Sequence, residues 1–256
     1  MPIPRRHAAD ALPTPPMPDA DTQWALFLDI DGTLLDFAPH HDAVTVDARL
    51  QRDLDALHGR LDGALALVSG RVLAQIDRLF AWPGRAAAGL HGAQVRRADG
   101  CLLRNALHAD LGALRGFASE RAARLPGVML EDKQSALALH YRDAPAQRDA
   151  AEVLARELQR RAAATHVLQH GDHAIELKPA GCDKGGALAA LMDAPPFSGR
   201  RPWMFGDDLT DEHAFDETNA RDGISVIVGA RRPTRARFAL RDPAAMRGWL
   251  HAMAHR

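Results

Sequence analysis

The chain has 256 residues, enough for one large or two modest domains, and 46% of them are hydrophobic, so a sizeable core can form. Acidic and basic residues number 33 and 32, and the formal net charge of −1 gives no sign of a nucleic-acid groove or a membrane-surface patch. The two cysteines, Cys101 and Cys182, are too few for a disulfide framework or a zinc cluster and suit a reducing compartment.

Residues 1–22 are rich in proline. Because proline removes a backbone donor and favours extended, solvated chain, we expect a disordered leader here. No apolar stretch follows Arg5 and Arg6, so this segment lacks the pattern of a secretory signal. No apolar run reaches the ~18 residues of a transmembrane helix. We therefore expect a cytoplasmic protein, and a monomer, with no nucleic-acid or membrane partner.

The first predicted strand is the short apolar run over residues 24–28. Asp29 and Asp31 follow it, before Gly32 and Thr33. Loops after the strands of a parallel α/β sheet face the ligand crevice, so both carboxylates would lie where a ligand binds. Two such carboxylates raise each other's pKa, and a bound Mg²⁺ ion would remove that penalty. A strand followed by an ordinary Asp-Gly turn is the alternative interpretation.

The next segments continue the alternation of strands and helices. Residues 64–68 form a second apolar strand that ends at Ser69, and residues 72–80 have the spacing of a helix. A hydroxyl and free backbone N–H groups at a helix N-terminus bind anions, although Ser69 could also be an ordinary N-cap. Further predictions in this half are a helix over 46–61, a strand over 86–93 and a hairpin over 94–105.

From about residue 107, pairs of neighbouring strands replace this alternation. The predicted order is helix 109–125, strands 127–132 and 135–142, helix 145–164, and strands 165–170 and 173–178. Alternating residues in 135–142 predict a sheet with one buried face and one solvated face. We therefore predict an inserted α+β cap over 107–178, and a core domain made of residues 23–106 and 179–256.

The core pattern returns at Asp183 and Lys184, where Asp183 is the predicted N-cap of a helix. A cation in the first turn of a helix is unfavourable, so we expect Lys184 to face an anion. A short strand over 203–205 leads into a run of acids within 207–217, which is costly without a cation; an acidic, solvated helix start is the alternative. The last predictions are a strand over 224–228 and a helix that Asp242-Pro243 begins.

Together these units predict a doubly wound, Rossmann-like parallel sheet with one active edge. That edge would collect acids that suit a metal ion, and a hydroxyl and an ammonium group that suit a phosphate. The residues concerned are Asp29, Asp31, Ser69, Lys184, Asp207, Asp208 and Asp211.

These loops, in this order, resemble those of the haloacid-dehalogenase (HAD) phosphatases, whose nucleophile loop is similar to residues 29–33. The resemblance implies a HAD-like core in which Asp29 attacks phosphorus. Asp31 would protonate the leaving oxygen and then activate water against the aspartyl-phosphate. Ser69 and Lys184 would bind the phosphoryl oxygens.

The same resemblance implies a Mg²⁺ cofactor. Its ligands would be Asp29, the backbone carbonyl of Asp31, and Asp207. Asp208 and Asp211 would orient metal-bound water or the phosphate-binding lysine.

A narrower resemblance, to trehalose-6-phosphate phosphatases, covers nearly everything from residue 23 onward. It rests on Gly206–Glu212 with Phe215, Gly89–Ala93, Glu131–Lys133, Ala138–Arg142 and Ile175–Pro179. The resemblance implies hydrolysis of trehalose 6-phosphate, the last step of trehalose biosynthesis, beneath a cap that acts as a lid. The residues it assigns to the sugar are Glu131, Lys133 and Glu176, with Arg71, His91 and Arg142 nearby. A solvated salt bridge is the alternative for Glu131 with Lys133.

Two departures from the family pattern are visible. The lysine loop of the family usually reads Asn-Lys-Gly, whereas this chain has Asp183-Lys184-Gly185, and the extra acid could weaken substrate binding or shift the pH optimum. The leader is not a shared feature. Two other functions stay open: a phosphatase for another sugar phosphate, such as sucrose 6-phosphate or mannosylglycerate phosphate, and an inactive sugar-phosphate sensor. Against the sensor, the residues that degenerate enzymes lose are all present: Asp29, Asp31, Lys184 and Asp207.

Overall fold

The computed structural model describes residues 12–19, 22–36, 45–104, 111–133, 135–162, 165–171 and 173–256. The elements in chain order are β1 (Trp24–Leu28), α1 (Ala48–Arg60), β2 (Leu65–Val68), α2 (Leu73–Phe80), β3 (Ala87–Gly89), β4 (Gln94–Arg96), β5 (Leu102–Arg104), α3 (Gly112–Ala122), β6 (Met129–Asp132), β7 (Leu137–His140), α4 (Arg148–Ala162), β8 (His166–Gly171), β9 (Ala174–Pro179), α5 (Lys184–Met192), β10 (Arg201–Gly206), α6 (Glu212–Ala220), β11 (Ile224–Val228), β12 (Phe238–Leu240) and α7 (Pro243–Ala254). Within these ranges no helix is long and apolar enough to cross a membrane.

The larger sheet has eight strands in the order β12-β11-β10-β1-β2-β3-β4-β5. The pairs from β12 to β3 are parallel, and β3, β4 and β5 are antiparallel. β1 is fully buried between β10 and β2, which explains its unbroken apolar run. Because β1, β2 and β10 are parallel neighbours, the loops at their carboxyl ends meet at one edge of the sheet. The predicted α/β fold with a parallel sheet is confirmed.

Helices of the predicted amphipathic kind cover this sheet. α1 begins at Asp47, whose carboxylate accepts the Leu50 N–H at 2.7 Å, and buries Leu50, Leu54 and Leu57. α7 begins as predicted at Asp242, which accepts the Ala245 N–H at 2.8 Å. These side chains join the strands in one large apolar cluster.

The second sheet is antiparallel throughout, in the order β6-β7-β9-β8, and packs with α3 and α4 around a separate apolar cluster. The predicted start of this module at residue 107 lies outside the described residues. The predicted alternation in β7 is not observed, since Leu137, Ala138 and Leu139 are all buried. The second face of this sheet is turned towards the core. On this side, the Nζ atom of Lys133 lies 3.4 Å from the Gly70 carbonyl oxygen.

The prediction of a disordered leader is wrong for residues 12–19. Leu12 and Met17 pack against the core cluster, and Pro15 is buried. The Pro13 carbonyl accepts the Ala239 N–H at 2.9 Å, beside β12. Proline prevents a helix here, but it does not prevent an extended segment from packing on a sheet edge. Residues 1–11, 20 and 21 lie outside the described part of the chain.

Three further differences concern short elements. The predicted strand over 86–93 ends at Gly89, and Leu90–Gly92 forms a single 3₁₀ turn in which His91 has a positive φ of 51°. β12, which has three residues, was not predicted, and α6 corresponds to the helix start that was only the alternative interpretation of the acidic run.

Candidate active site

The acids that follow β1 and β10 lie side by side at the carboxyl edge of the sheet. The Asp29 N–H donates to the Phe205 carbonyl at 3.0 Å, which sets the two loops in register. The Thr33 hydroxyl lies 3.1 Å from Asp29 Oδ2 and 3.1 Å from Asp207 Oδ1. The structure therefore brings Asp29 and Asp207 together, although 178 positions separate them in the sequence.

Lys184, at the first position of α5, is buried between two of these acids. Its Nζ donates to Asp29 Oδ1 at 2.7 Å and to Asp211 Oδ1 at 2.6 Å. Asp211 Oδ2 accepts the N–H groups of Asp207 and Asp208, each at 3.0 Å. Within the described residues, the side-chain hydrogen bonds of Asp211 therefore hold the lysine and the loop in position. Asp208 contributes its backbone to this arrangement.

Gly206 allows this packing, because a Cβ atom at residue 206 would lie 2.3 Å from Asp211 Cγ. The sequence pattern Gly-Asp-Asp at the end of β10 thus has a steric reason. Any side chain at residue 206 would displace Asp211 and, through it, Lys184.

The site carries more negative charge than its cation balances. Burial, partly opposed by Lys184 and reinforced by Asp211, raises the pKa of Asp29 to about 7. Burial and the neighbouring charge of Asp29 raise the pKa of Asp207 to about 9. Both carboxyls would therefore ionise fully at neutral pH only if a further positive charge were bound beside them.

The residues present suit a metal ion. Carboxylate oxygens of Asp29, Asp207 and Asp211 all lie within 4.8 Å of one another. Oxygen ligands are those that Mg²⁺ prefers, and the raised pKa values indicate an electrostatic need for a cation. Because Lys184 and two backbone N–H groups already occupy the oxygens of Asp211, Asp29 and Asp207 are the better candidate ligands.

Asp31 faces an arginine. Arg71 Nε donates to Asp31 Oδ2 at 2.7 Å and Nη2 donates to Oδ1 at 2.6 Å, a bidentate pair in which the arginine is buried. Arg71, which the resemblance placed near the sugar, thus contacts the predicted acid–base residue itself. Ser69 is buried directly after β2, and its Oγ accepts the Arg71 N–H at 3.2 Å.

A second polar group lies between the cap sheet and the core. Lys133 Nζ donates to Glu176 Oε2 at 2.7 Å and lies 3.9 Å from Glu131 Oε2. His91 Nε2, from the core, is 3.5 Å from the same Glu176 oxygen. Glu131 also pairs with His140 at 2.9 Å. These contacts join the cap residues that are predicted to bind the sugar to the loop after β3.

Burial and charge explain the electrostatics of this group. Burial alone would raise the pKa of Glu176, but Lys133 and His91 outweigh it and lower the pKa to about 2. Burial lowers the pKa of His91. Within the described part of the chain, His91 Nδ1 and Glu176 Oε1 are buried without a hydrogen-bond partner. Such atoms are costly unless a ligand satisfies them.

Arg142 differs from this group in its exposure to solvent. It follows Tyr141 beyond the end of β7 and is exposed. Its assignment to the substrate stays a prediction.

Sequence reasoning missed two residues that the geometry makes prominent. Thr33 is only one member of a motif in the sequence, yet its hydroxyl bridges the two candidate metal ligands. Arg231, after β11, donates to the carbonyls of Asp207 and Asp208 at 3.1 Å and 3.2 Å and pairs with Glu212. No local signal in the sequence distinguishes Arg231 from the many other arginines.

Comparison with known proteins identifies the family of the chain. The trehalose-phosphatase family model matches residues 27–244. A probable trehalose-phosphate phosphatase of Sinorhizobium fredii is 43% identical over 232 residues, which cover 90% of this chain and 88% of the relative. The trehalose-6-phosphate phosphatase of Escherichia coli is 39% identical over 237 residues, covering 91% of this chain and 87% of the relative.

Solved structures agree in fold. A trehalose-6-phosphate phosphatase related protein superposes with a TM-score of 0.73 at 26% identity, covering 90% of this chain and 96% of that one. The shared fold extends to a HAD-superfamily phosphatase of Bacteroides thetaiotaomicron, at 18% identity and a TM-score of 0.56 over 91% of this chain and 95% of that one.

Proposed function

The chain belongs to the trehalose-phosphatase family and is a phosphatase, and from this premise we propose that it hydrolyses trehalose 6-phosphate to trehalose and inorganic phosphate. The proposal includes an aspartyl-phosphate intermediate on Asp29 and a Mg²⁺ cofactor. The observation that carries it is the meeting of Asp29, Asp207 and Lys184 within hydrogen-bonding reach at the carboxyl edge of the sheet.

In the first step an oxygen of Asp29 forms a bond to phosphorus while the bond from phosphorus to the sugar 6-oxygen breaks. Asp31 donates a proton to that oxygen, so that trehalose leaves as a neutral alcohol. The bidentate contact with Arg71 orients the Asp31 carboxyl, and the contact must loosen while Asp31 carries the proton.

In the second step Asp31 accepts a proton from water, whose oxygen attacks the phosphorus of the aspartyl-phosphate. The bond from phosphorus to Asp29 breaks and restores the carboxylate. Lys184 and Ser69 would bind the phosphoryl oxygens through both steps, and Asp211 keeps the lysine beside Asp29. Lys184 is well suited because Asp211 and Asp29 outweigh the effect of burial and raise its pKa, so it stays charged.

Asp29, the backbone carbonyl of Asp31, and Asp207 would hold the Mg²⁺ ion. When bound, the ion neutralises the excess charge of the carboxylates and of the incoming phosphate. Thr33 keeps the two carboxylate ligands adjacent.

Glu131, Lys133, Glu176 and His91 would recognise the glucose units. A disaccharide offers many hydroxyl groups and no charge beyond its phosphate, so paired acids and bases that donate and accept hydrogen bonds suit it. The buried atoms His91 Nδ1 and Glu176 Oε1 support this role, because sugar hydroxyls would satisfy both.

A phosphate-release panel tests the proposal. It compares trehalose 6-phosphate with sucrose 6-phosphate, mannosylglycerate phosphate and glucose 6-phosphate, with Mg²⁺ and with EDTA. We expect the highest kcat/KM for trehalose 6-phosphate and loss of turnover in EDTA. A preference of about tenfold or more for another ester, equal to ~1.4 kcal/mol, would assign a different substrate. Turnover that disappears in Asp29→Asn would exclude the sugar-phosphate sensor.

A further inference from the structure

A second cluster of potential ligands joins the first and last helices of the core. Asp53, on the inner face of α1, has a side chain that is only 4% exposed. Its Oδ1 lies 3.1 Å from His251 Nδ1, on α7, and 3.1 Å from Nε2 of His255, the residue that ends this helix. The two histidines are four residues apart, so they lie on one face of the helix. The proposed phosphatase reaction uses none of the three.

The spacing of these atoms matches a metal coordination shell. A tetrahedral ion with ligands at ~2.0–2.1 Å holds neighbouring ligand atoms roughly 3.3 Å apart. Both distances from Asp53 to the imidazoles are close to this value, and all three ligand atoms lie within 4.8 Å of one another. An ion could therefore be accommodated with little movement of the backbone.

The alternative is that the two histidines only neutralise the buried carboxylate of Asp53, and this explains the arrangement less well than a metal site does. His251 Nδ1 is equidistant, at 3.1 Å, from both oxygens of Asp53, whereas one N–H can point well at only one of them. Within the described residues, the side-chain hydrogen bonds of Asp53 come from these two imidazoles alone. The imidazoles are 38% and 60% exposed, so solvent can reach the cluster and water could complete the coordination.

We propose that Asp53, His251 and His255 bind one divalent transition-metal ion of the Zn²⁺ class. Two imidazoles and one carboxylate suit Zn²⁺, Co²⁺ or Ni²⁺, whereas Mg²⁺ prefers oxygen ligands alone, so the site is chemically distinct from the acids around Asp29. The ion would link α1 to α7. Arg60 already ties the two helices through its bond to the Met253 carbonyl at 2.6 Å.

A bound ion would stabilise the fold, because it binds the native arrangement and not the unfolded chain. The effect would extend along α7. One turn before His251, Arg247 donates to the Leu34 carbonyl at 3.0 Å, in the loop that follows the catalytic aspartates. The proposed site thus braces the helix that supports this loop, without contacting the reacting groups.

The test uses the full-length protein without a polyhistidine tag, in saturating Mg²⁺ so that the acid site is occupied. Zn²⁺ is titrated by calorimetry or against a chromophoric chelator, and the melting temperature is measured in parallel. His251→Gln and His255→Gln are the test variants, since glutamine can still donate to Asp53 and preserve the fold. His170→Gln is the matched control, because His170 pairs at 2.8 Å with the carboxylate of Glu152 on the surface.

We expect one Zn²⁺ per chain in the presence of Mg²⁺, and an affinity at least about tenfold lower in either test variant. The control variant should bind as the parent does. Zn²⁺ should raise the melting temperature of the parent and control by at least ~3 °C, and of the test variants by less. Absence of Zn²⁺ binding in saturating Mg²⁺, or equal affinity in all four proteins, would overturn the proposal. Phosphate release by each variant provides an independent check of folding.

Discussion

Thr33 connects the two candidate metal ligands, Asp29 and Asp207, through a single hydroxyl group. The hydroxyl lies 3.1 Å from both Asp29 and Asp207, yet it has only one proton to donate. One of the two carboxylates must therefore find another donor. For Asp207 this donor is not Lys184, whose ammonium group bonds Asp29 and Asp211 instead. The raised pKa values of Asp29 and Asp207 express the same shortage of positive charge.

Replacing Thr33 with valine keeps the shape of the side chain and removes the donor. We expect Thr33→Val to lower the free energy of unfolding in EDTA by about 1–3 kcal/mol, because a buried acceptor loses its partner. Thr33→Ser, which keeps the hydroxyl, is the matched control and should lose less. The measurement is denaturant unfolding. A valine variant as stable as the parent would mean that the hydroxyl does not bond these carboxylates.

The same two carboxylates predict how metal affinity depends on pH. Their folded-state pKa values, about 7 and about 9, lie above the ordinary value, so the metal-free protein loses stability as pH rises above about 4 and through these values. An ion must displace those protons. The apparent affinity for Mg²⁺ should therefore be at least about tenfold higher at pH 8 than at pH 6. Calorimetric titration at the two pH values measures this, and an affinity independent of pH would show that these carboxyls are not the ligands.

Among the elements, the start of α5 shows the role of Asp183, the unusual acid beside Lys184. Asp183 Oδ1 accepts the Gly186 N–H at 2.7 Å, and its other oxygen lies 3.5 Å from His213 on α6. The carboxylate therefore caps the helix, as predicted, and faces a histidine. This geometry argues against the expectation that the extra acid disturbs the phosphate site.

We accordingly expect Asp183→Asn to change kcat/KM by less than about threefold, because asparagine caps a helix as well as aspartate does. Asp183→Ala should cost about 1 kcal/mol of stability through the lost cap. Steady-state kinetics and denaturant unfolding test the two statements. A large gain in affinity for substrate in the asparagine variant would instead support an electrostatic cost of Asp183.

Local pattern predicted most of the elements and the order of the active loops. β1 and β11 were predicted with the observed bounds, because buried parallel strands are unbroken apolar runs. β12 was not predicted, because three residues give too short a pattern to recognise. α6 was predicted only as an alternative, since the acids that begin it suit both a solvated helix and a metal site.

Pairs of side chains that are distant in the sequence could not be predicted from it. The residue types in the loops predicted a metal site and a phosphate site. They did not predict the bidentate pair of Arg71 with Asp31, which lies 40 positions away in the sequence. Such a pair forms only where the folded backbone places the planar guanidinium group opposite a carboxylate. The packing of residues 12–19 on the edge of the sheet is likewise a tertiary effect that composition does not reveal.

Across the whole molecule, the residues proposed for phosphate chemistry belong to the core, whereas most of those proposed for the sugar belong to the cap. Lys133 lies on the cap side, beyond β6, and its Nζ donates to the Gly70 carbonyl oxygen of the core at 3.4 Å. We expect Lys133→Gln to raise the KM for trehalose 6-phosphate by at least about tenfold, or ~1.4 kcal/mol. Hydrolysis of p-nitrophenyl phosphate, which has no sugar, should change by less than about threefold.

Arg156→Gln is the control for this comparison, because Arg156 is an exposed cap residue that pairs with Glu152 within α4. Both substrates should behave as with the parent. An equal loss with the two substrates in Lys133→Gln would mean that the lysine acts on the phosphate or on folding, and not on the sugar.

Trapping the phosphorylated enzyme is the sharpest test of nucleophilic attack by Asp29. The protein is mixed with trehalose 6-phosphate and Mg²⁺, quenched rapidly, and treated with borohydride, which reduces an acyl phosphate to an alcohol. We expect homoserine at position 29 in the peptide mass spectrum, and neither homoserine nor phosphate release in Asp29→Asn. Phosphate release that persists in Asp29→Asn, or a modified residue elsewhere, would contradict nucleophilic attack by Asp29.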